Sequence, residues 1–366
     1  MKIKIFLLKF TIHSFGLLCL LLFFAARNER FAHFLSLDYH TQDIRTEYYN
    51  SIYTDLYNIC RITHFREEYP IVAFVDSFQN SKVSAAQMLI VGDSYVFGRW
   101  GGQQSLPSLL STMFQQNVCG IKKYSSLFDS LNKNVSVNDS VHNQKIIVIQ
   151  SVEDRILERF YPNLDVFNSI NQTQTTQPKN IKQQLSEYKT WIAQYVFMMR
   201  KRNYQYLWRN SYFSYYLYNS INNFKFKWFG IIDAGTPMYS EQPPWLFHAR
   251  EVNHFYHSYS EGALDTIAKN IADLQHKLDT QYHYQMVFLP IPNKYTIYHN
   301  LVNQDNYNNF LPRLYKKLSQ QQVNTVNLYQ PFLNSTDTLF FRTDYHWNYN
   351  GILLTAKVLK EHLSKY

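Results

Sequence analysis

Glycine and proline are scarce, 10 and 11 in 366 residues, which excludes collagen-like and low-complexity disordered architectures. Cysteine is rarer still. Cys19, Cys60 and Cys119 include no CxxC pair and join no His/Cys cluster at zinc spacing, so a disulfide-built scaffold and a structural zinc site are both excluded. No metal and no cofactor is expected. Basic residues outnumber acidic ones, for a net charge of +9, but they never gather into a dense Lys/Arg run. The electrostatic arm of a nucleic-acid binder is therefore missing, and the charge fits an anionic lipid, an anionic polymer, or no specific partner. No internal repeat is visible.

What is abundant is aromatic: 30 Tyr and 27 Phe against 17% charged residues. Such a surplus suits platforms that stack on sugar rings or surfaces that face a membrane; it is equally a bias of composition. Hydrophobic residues make up 46% of the chain, enough for a packed core. The amino terminus adds a longer apolar signal. Lys2, Lys4 and Lys9 precede a nearly uncharged stretch from Phe10 to Ala26, about the minimum that spans a bilayer. A cleaved signal peptide competes, but Phe24-Ala25-Ala26 lacks the small residue wanted three positions before a cut. Residues 1–26 are thus read as an uncleaved anchor in an inner membrane, with the amino terminus cytoplasmic and the rest periplasmic or otherwise extracytoplasmic. Arg27 and Arg30 dilute that asymmetry. On the exported side Cys60 and Cys119 are candidates for a disulfide.

Residues 27–85 form a polar and aromatic membrane-proximal segment, and 86–366 a catalytic domain. Short apolar runs at Met88–Val91, Gly120–Tyr124, Lys145–Gln150, Tyr284–Ile291 and Val323–Tyr329 have the length and composition of buried parallel strands. Between them, apolar residues from Ala263 to Leu278, Phe310 to Leu318 and Ile352 to Leu363 recur at helical spacing, the last behind Asn348 and Asn350 as caps. This alternation predicts an α/β fold, a three-layer α/β/α sandwich around a parallel sheet. An insertion at about 160–262 interrupts it. It opens on the polar tract Asn168–Asn180 and continues in Tyr195–Gly230, dense in aromatics and interleaved with Lys and Arg. That stretch reads as an amphipathic helical cover on the sheet, or as a surface resting on membrane headgroups.

Two segments carry chemistry. In MLIVGDSYVFG a buried strand ends at Gly92 and Ser94 follows, at the carboxyl end of a parallel strand where open α/β sheets keep their sites. A strand-to-helix turn capped by Asp93 or Ser94 is the plain alternative. In FRTDYHWNYNG, Asp344 and His346 stand two apart just before the final helix. A serine needs a base near neutrality, and a histidine needs a carboxylate to hold its tautomer. Ser94, His346 and Asp344 are the candidate catalytic set; taken alone, the Asp-x-His pair also reads as an ordinary surface loop or as metal ligands. His254 and His257, without a third ligand in sight, read as loop histidines.

VGDSY at 91–95 resembles the first block of the SGNH (GDSL-like) hydrolases, and TDYHW at 343–347 resembles their last. The Asp344-Tyr-His346-Trp347 form is closer to the SGNH-like polysaccharide O-acetyltransferases of the alginate acetylation type. PIPNKYTIY (Pro290–Tyr298) is similar to their Pro-Lys-Tyr segment, and IQSVEDRIL (Ile149–Leu157) to their Glu-Arg segment, matching Arg155. There are departures. Hydrolytic members have Asp-x-x-His, which would put Thr343 where a carboxylate belongs. The alginate proteins place their Asp-x-His before the serine. The Gly-x-Asn-Asp block has no counterpart in QSVEDR, so the oxyanion donor beyond the Ser94 amide falls to Arg155 or Gln150, with Lys294 at the site rim and Trp347 as an aromatic wall. Arg155 as a structural ion pair and Trp347 as a core anchor are the alternatives. The resemblance implies an extracytoplasmic O-acyl(acetyl)transferase acting on a cell-surface polysaccharide through an acyl-serine, fed by a membrane-bound O-acyltransferase. A carbohydrate esterase of the same fold and a non-catalytic glycan-binding or assembly protein are the competing functions.

Overall fold

The computed structural model describes residues 10–11, 13–18, 54–68, 86–97, 105–122, 124–134, 145–161, 212–302 and 306–365. The chain divides into two units, one holding Met1–Tyr53, Arg61–Thr63 and Gln174–Ile232, the other Thr54–Cys60, His64–Thr173 and Asp233–Tyr366.

The larger unit opens with α1 (Asp55–Cys60), then β1 (Met88–Val91), the one-turn α2 (Ser94–Phe97), α3 (Leu106–Phe114), β2 (Val118–Ile121) and α4 (Leu127–Asn134). β3 (Lys145–Val152) and α5 (Ile156–Phe160) follow. The smaller unit contributes α6 (Tyr212–Phe229). The chain then returns through the antiparallel pair β4 (Met238–Ser240) and β5 (Trp245–Phe247) to α7 (Ala249–Tyr256), α8 (Glu261–Tyr282) and β6 (Tyr284–Ile291). It closes with α9 (Lys294–Tyr298), α10 (Phe310–Gln320), α11 (Tyr329–Leu333) and α12 (Tyr349–Leu363).

The predicted parallel sheet is present, in the order β2-β1-β3-β6. Its strands are buried on both faces, as their continuous apolar runs require. Alternate residues feed two cores: Leu89, Val91, Ile147, Ile149, Met286 and Phe288 pack with α4, α5, α8 and α10. Met88, Ile90, Val148, Val287 and Leu289 pack with α3, α7 and α12 on the other face. Helices thus cover both sides, the three-layer arrangement the sequence predicts. The long α8 shows why these segments are helical. Ser260 accepts the amide of Ala263 at 3.2 Å, Glu261 stands in the first turn, and Leu264, Ile267, Ala268, Ile271, Leu274 and Leu278 form one buried stripe.

Three expectations change. Val323–Tyr329 is not a strand: it touches β6 through the single bridge Phe288↔Thr325, and Tyr329 already opens α11. His254 is not on a loop but buried in α7. The Cys60–Cys119 disulfide is not formed, and both carry buried thiols. Cys119 lies in β2 within the α4/α8 core, whereas Cys60 ends α1 with its Sγ toward the Tyr57 carbonyl, so the two occupy separate environments. The proposed anchor falls mostly outside the described residues, and among those described no helix is long and apolar enough to cross a membrane.

The connections leaving β1 and β3, which are neighbours, go to opposite faces, α3 on one and α5 on the other. Such a switch point opens a crevice beyond the carboxyl ends of the strands. Ser94 stands at its β1 wall.

Candidate active site

The serine turn is built from its neighbours. A Cβ at Gly92 would lie 2.3 Å from Val96 Cγ2 and 2.5 Å from Gln150 Oε1, so only glycine lets the chain turn there. Asp93 then fixes the first turn of α2: its Oδ1 accepts the Tyr95 amide at 3.0 Å, and its own amide donates to Gln150 Oε1 at 3.1 Å. Asp93 Oδ2 receives Arg159 Nη2 at 2.6 Å, while Arg159 Nη1 reaches Ser151 Oγ at 2.9 Å and the guanidinium lies over the Tyr124 ring. Tyr95 and Val96 point into the core, and Ser94 is left exposed.

The histidine loop is pinched by the antiparallel bridge Phe340↔Trp347, with the Phe341 amide donating to His346 O at 3.2 Å. Asp344 is fully buried, and its Oδ1 accepts twice from the residue two positions on: from the His346 amide at 2.8 Å and from Nδ1 at 2.7 Å. That double contact gives the Asp-x-His spacing its physical sense, because one carboxylate oxygen shapes the loop and orients the ring together. Oδ2 is held by the Asp55 amide at 3.0 Å. An ionised carboxylate only accepts, so Nδ1 carries the proton and Nε2 faces Ser94 Oγ, 2.7 Å away across 252 residues of sequence. A buried carboxylate, an oriented imidazole and an exposed hydroxyl in line are what general-base activation of a serine requires.

Two reciprocal bonds join serine turn and histidine loop. Trp347 Nε1 donates to Tyr95 O at 2.8 Å, and Tyr95 Oη donates to Tyr345 O at 2.6 Å. Burial, reinforced by the charge of Glu251, raises the Tyr95 pKa well above its usual value and keeps this hydroxyl a donor. The loop is also tied to the 54–67 segment. Thr343 Oγ1 meets Thr54 Oγ1 at 2.6 Å, and Glu67 Oε2 accepts from the Thr343 amide at 2.6 Å and its hydroxyl at 2.8 Å.

Lys294 supports the loop from beneath. Fully buried, its Nζ donates to Leu246 O and Asp344 O at 2.5 Å each, Arg342 O at 3.1 Å and Phe341 O at 3.3 Å. Burial pulls its pKa down to about 8, while the charges of Glu251 and Asp344 act the other way. Glu251 Oε1 accepts the Lys294 amide at 3.2 Å, and burial pushes the Glu251 carboxyl up to about 8 against the pull of Lys294.

Of the residues singled out from sequence, Ser94, Asp344 and His346 come together. The others do not join that line. Lys294 is a buried brace for the loop and not a rim residue, because four carbonyls outcompete solvent for its ammonium. Trp347 is a core anchor and not an exposed wall, since its indole N–H finds a buried carbonyl. Gln150 is fully buried with Oε1 turned to the Asp93 amide, and its Nε2 is buried as well. Arg155 pairs with Glu158 on α5. The basic residue at the serine turn is instead Arg159, one helical turn later. Tyr95, Glu251, Thr54, Asp55 and Glu67 were not singled out from sequence. Tyr95, adjacent to the serine, had a usable signal.

Asp55, Asp344 and His346 are the one group among the described residues whose ligand atoms approach closely enough, within 4.8 Å, to hold a metal ion. As they stand, Asp344 Oδ1 and His346 Nδ1 satisfy each other.

Residues 240–366 match the family described as an SGNH hydrolase-like domain, acetyltransferase AlgX. The matched stretch contains Asp344, His346, Trp347 and Lys294, but not Ser94. No curated protein and no solved structure gave a match.

Proposed function

We propose that the chain, whose histidine half matches an SGNH hydrolase-like acetyltransferase domain, is a serine O-acyltransferase, moving acetyl onto a cell-surface polysaccharide. The observation that carries the reading is the Ser94–His346–Asp344 line, 2.7 Å at each contact, at the crevice of the sheet. In the first half-reaction Ser94 Oγ attacks the acyl carbonyl, and its proton passes to His346 Nε2. The tetrahedral adduct collapses, the donor's oxygen or sulfur leaves with that proton, and an acyl-serine remains. In the second half a sugar hydroxyl attacks the ester, gives its proton to His346, and Ser94 leaves as the hydroxyl again. Asp344 holds the tautomer and stabilises the imidazolium. The Ser94 amide is the oxyanion donor the turn offers. The chain works outside the cytoplasm, held by its 1–26 segment beside a membrane-bound O-acyltransferase that supplies the acyl group.

A carbohydrate esterase is the second reading, favoured by the exposure of Ser94. The two part in one experiment: full-length protein with an activated acetyl ester, with and without candidate oligosaccharides, followed by mass spectrometry. Transfer yields acetylated sugar and an acetyl adduct on Ser94 that outlasts acceptor withdrawal. Fast acetate release indifferent to every acceptor would make it an esterase. An unmodified Ser94, with His346→Ala as active as the parent, would remove the catalytic reading altogether.

A further inference from the structure

Within the smaller unit, α6 is built with its faces reversed. Leu217, Ile221, Phe224 and Trp228 recur at i, i+4, i+7 and i+11 and so form one stripe. On a water-facing helix that stripe would be covered. Here it is open: Phe224 is 56% and Trp228 67% exposed, and Phe229 adds 65% beside them. The opposite face, with Tyr218, Asn219, Asn222, Asn223 and Phe226, is the partly buried one. There Asn223 Oδ1 accepts the Thr63 amide at 2.9 Å and its Nδ2 donates to Asn219 O at 2.7 Å. Amides turned inward and aromatics outward are the opposite of what water selects.

Three features of the stripe identify its occupant. Lys225 and Lys227 flank it on either side, are exposed, and form no ion pair among the described residues. Trp228 lies near the carboxyl end, an amphipathic ring of the kind that settles at headgroup level. The same unit contains the most apolar stretch of the chain, Phe10–Ala26, preceded by Lys2, Lys4 and Lys9. At 18 residues α6 has the length of a span but not the hydropathy, given its asparagine face. A helix with one apolar face, flanking lysines and a polar back lies in a membrane interface instead of crossing it.

We propose that α6 is an interfacial helix that beds in the headgroup region of an anionic bilayer. Leu217, Ile221, Phe224, Trp228 and Phe229 enter the acyl boundary, and Lys225 and Lys227 meet lipid phosphates. The proposal is independent of the chemistry at Ser94.

The test uses the full chain, with Cys19→Ala, reconstituted in vesicles of phosphatidylglycerol and phosphatidylcholine. An environment-sensitive fluorophore is placed at Phe224→Cys or Trp228→Cys, and at Lys269→Cys, exposed on α8 of the larger unit, as reference. Labels at 224 and 228 are expected to be quenched by nitroxide lipids and protected from iodide, unlike the label at 269. Lys225→Gln with Lys227→Gln should shift the docked equilibrium by about 30-fold, from the attraction of each lysine for an anionic surface. Iodide access at 224 and 228 equal to that at 269 would overturn the proposal. So would protection that ignores lipid charge and grows only with protein concentration, or that arises only when a second protein is added, since either outcome assigns the stripe to a protein partner.

Discussion

Replacing Lys294 by methionine isolates the brace beneath the histidine loop. The substitution keeps most of the buried volume and removes the ammonium, so the carbonyls of Leu246, Phe341, Arg342 and Asp344 lose their shared donor. An ammonium offers only three N–H groups, so three good bonds are the most that can be lost. Each buried acceptor left unsatisfied costs about 1–3 kcal/mol, partly offset because the cation no longer has to be desolvated. The net loss expected on breaking such a buried charged cluster is about 3–5 kcal/mol. Against the roughly 5–15 kcal/mol that holds a typical domain together, this is a large share. It corresponds to a fall in Tm on the order of 10 °C. Asp344 O is one of the four acceptors, so the carboxylate that orients His346 loses a main-chain constraint. A displacement near 1 Å in the catalytic set lowers turnover by about a hundredfold. Calorimetry and release of acetate from a model ester measure the two effects. A Tm within 2 °C of the parent, with unchanged kcat, would refute the idea that this lysine holds the loop.

Tyr95→Phe removes the hydroxyl that grips Tyr345 O; a stability loss of about 1–2 kcal/mol and a fall in kcat larger than any change in KM are expected. Parental kcat in that variant would mean the two segments keep their alignment without the bond. Glu251 gives a pH prediction with a definite sign. Burial raises its pKa to about 8, so the native state holds a proton that the unfolded chain gives up in the ordinary carboxylate range. Its contribution is complete at acidic pH and is lost as pH rises through about 8. Urea midpoints of the parent, compared with Glu251→Gln at pH 5, 6, 7 and 8, should therefore decline relative to the variant. Parallel curves would show that the carboxyl titrates normally.

The parts of the fold legible in sequence were those set by local pattern. Met88–Val91 and Tyr284–Ile291 are strands with the bounds their apolar runs define, and the α8 stripe is buried from Leu264 to Leu278, with Ala263 at its start only partly so. Asn348 caps α12 through the Gly351 amide as its position before the apolar run suggests. Ser94, Asp344 and His346 were legible because turn chemistry and residue type coincide there. What sequence did not show is contact at long range. Thr54 meets Thr343 across 289 positions and Glu67 meets it across 276, with no local pattern to mark either. Lys294 reads from sequence as a residue of the site rim; only the fold brings four carbonyls around it. Arg155 and Arg159 differ by one turn of a short helix, and one-dimensional spacing could not say which faces Asp93. Trp347 had two readings until a buried acceptor decided between them.

The bond between Ser94 and His346 spans 252 residues, and this separation has a consequence during synthesis. The bonds that hold Asp93 in the serine turn come from residues no more than 66 positions away, so that part of the turn can form once β1, β3 and α5 meet. The imidazole that would activate it is made long afterwards and comes into place only when a very large loop closes, one of the slower events in folding. Through that whole interval the emerging chain carries an inert hydroxyl. Under the proposed mechanism, reactivity is switched on late, by completion of the polypeptide, and a chain cut anywhere between the two segments displays Ser94 without the histidine proposed as its base.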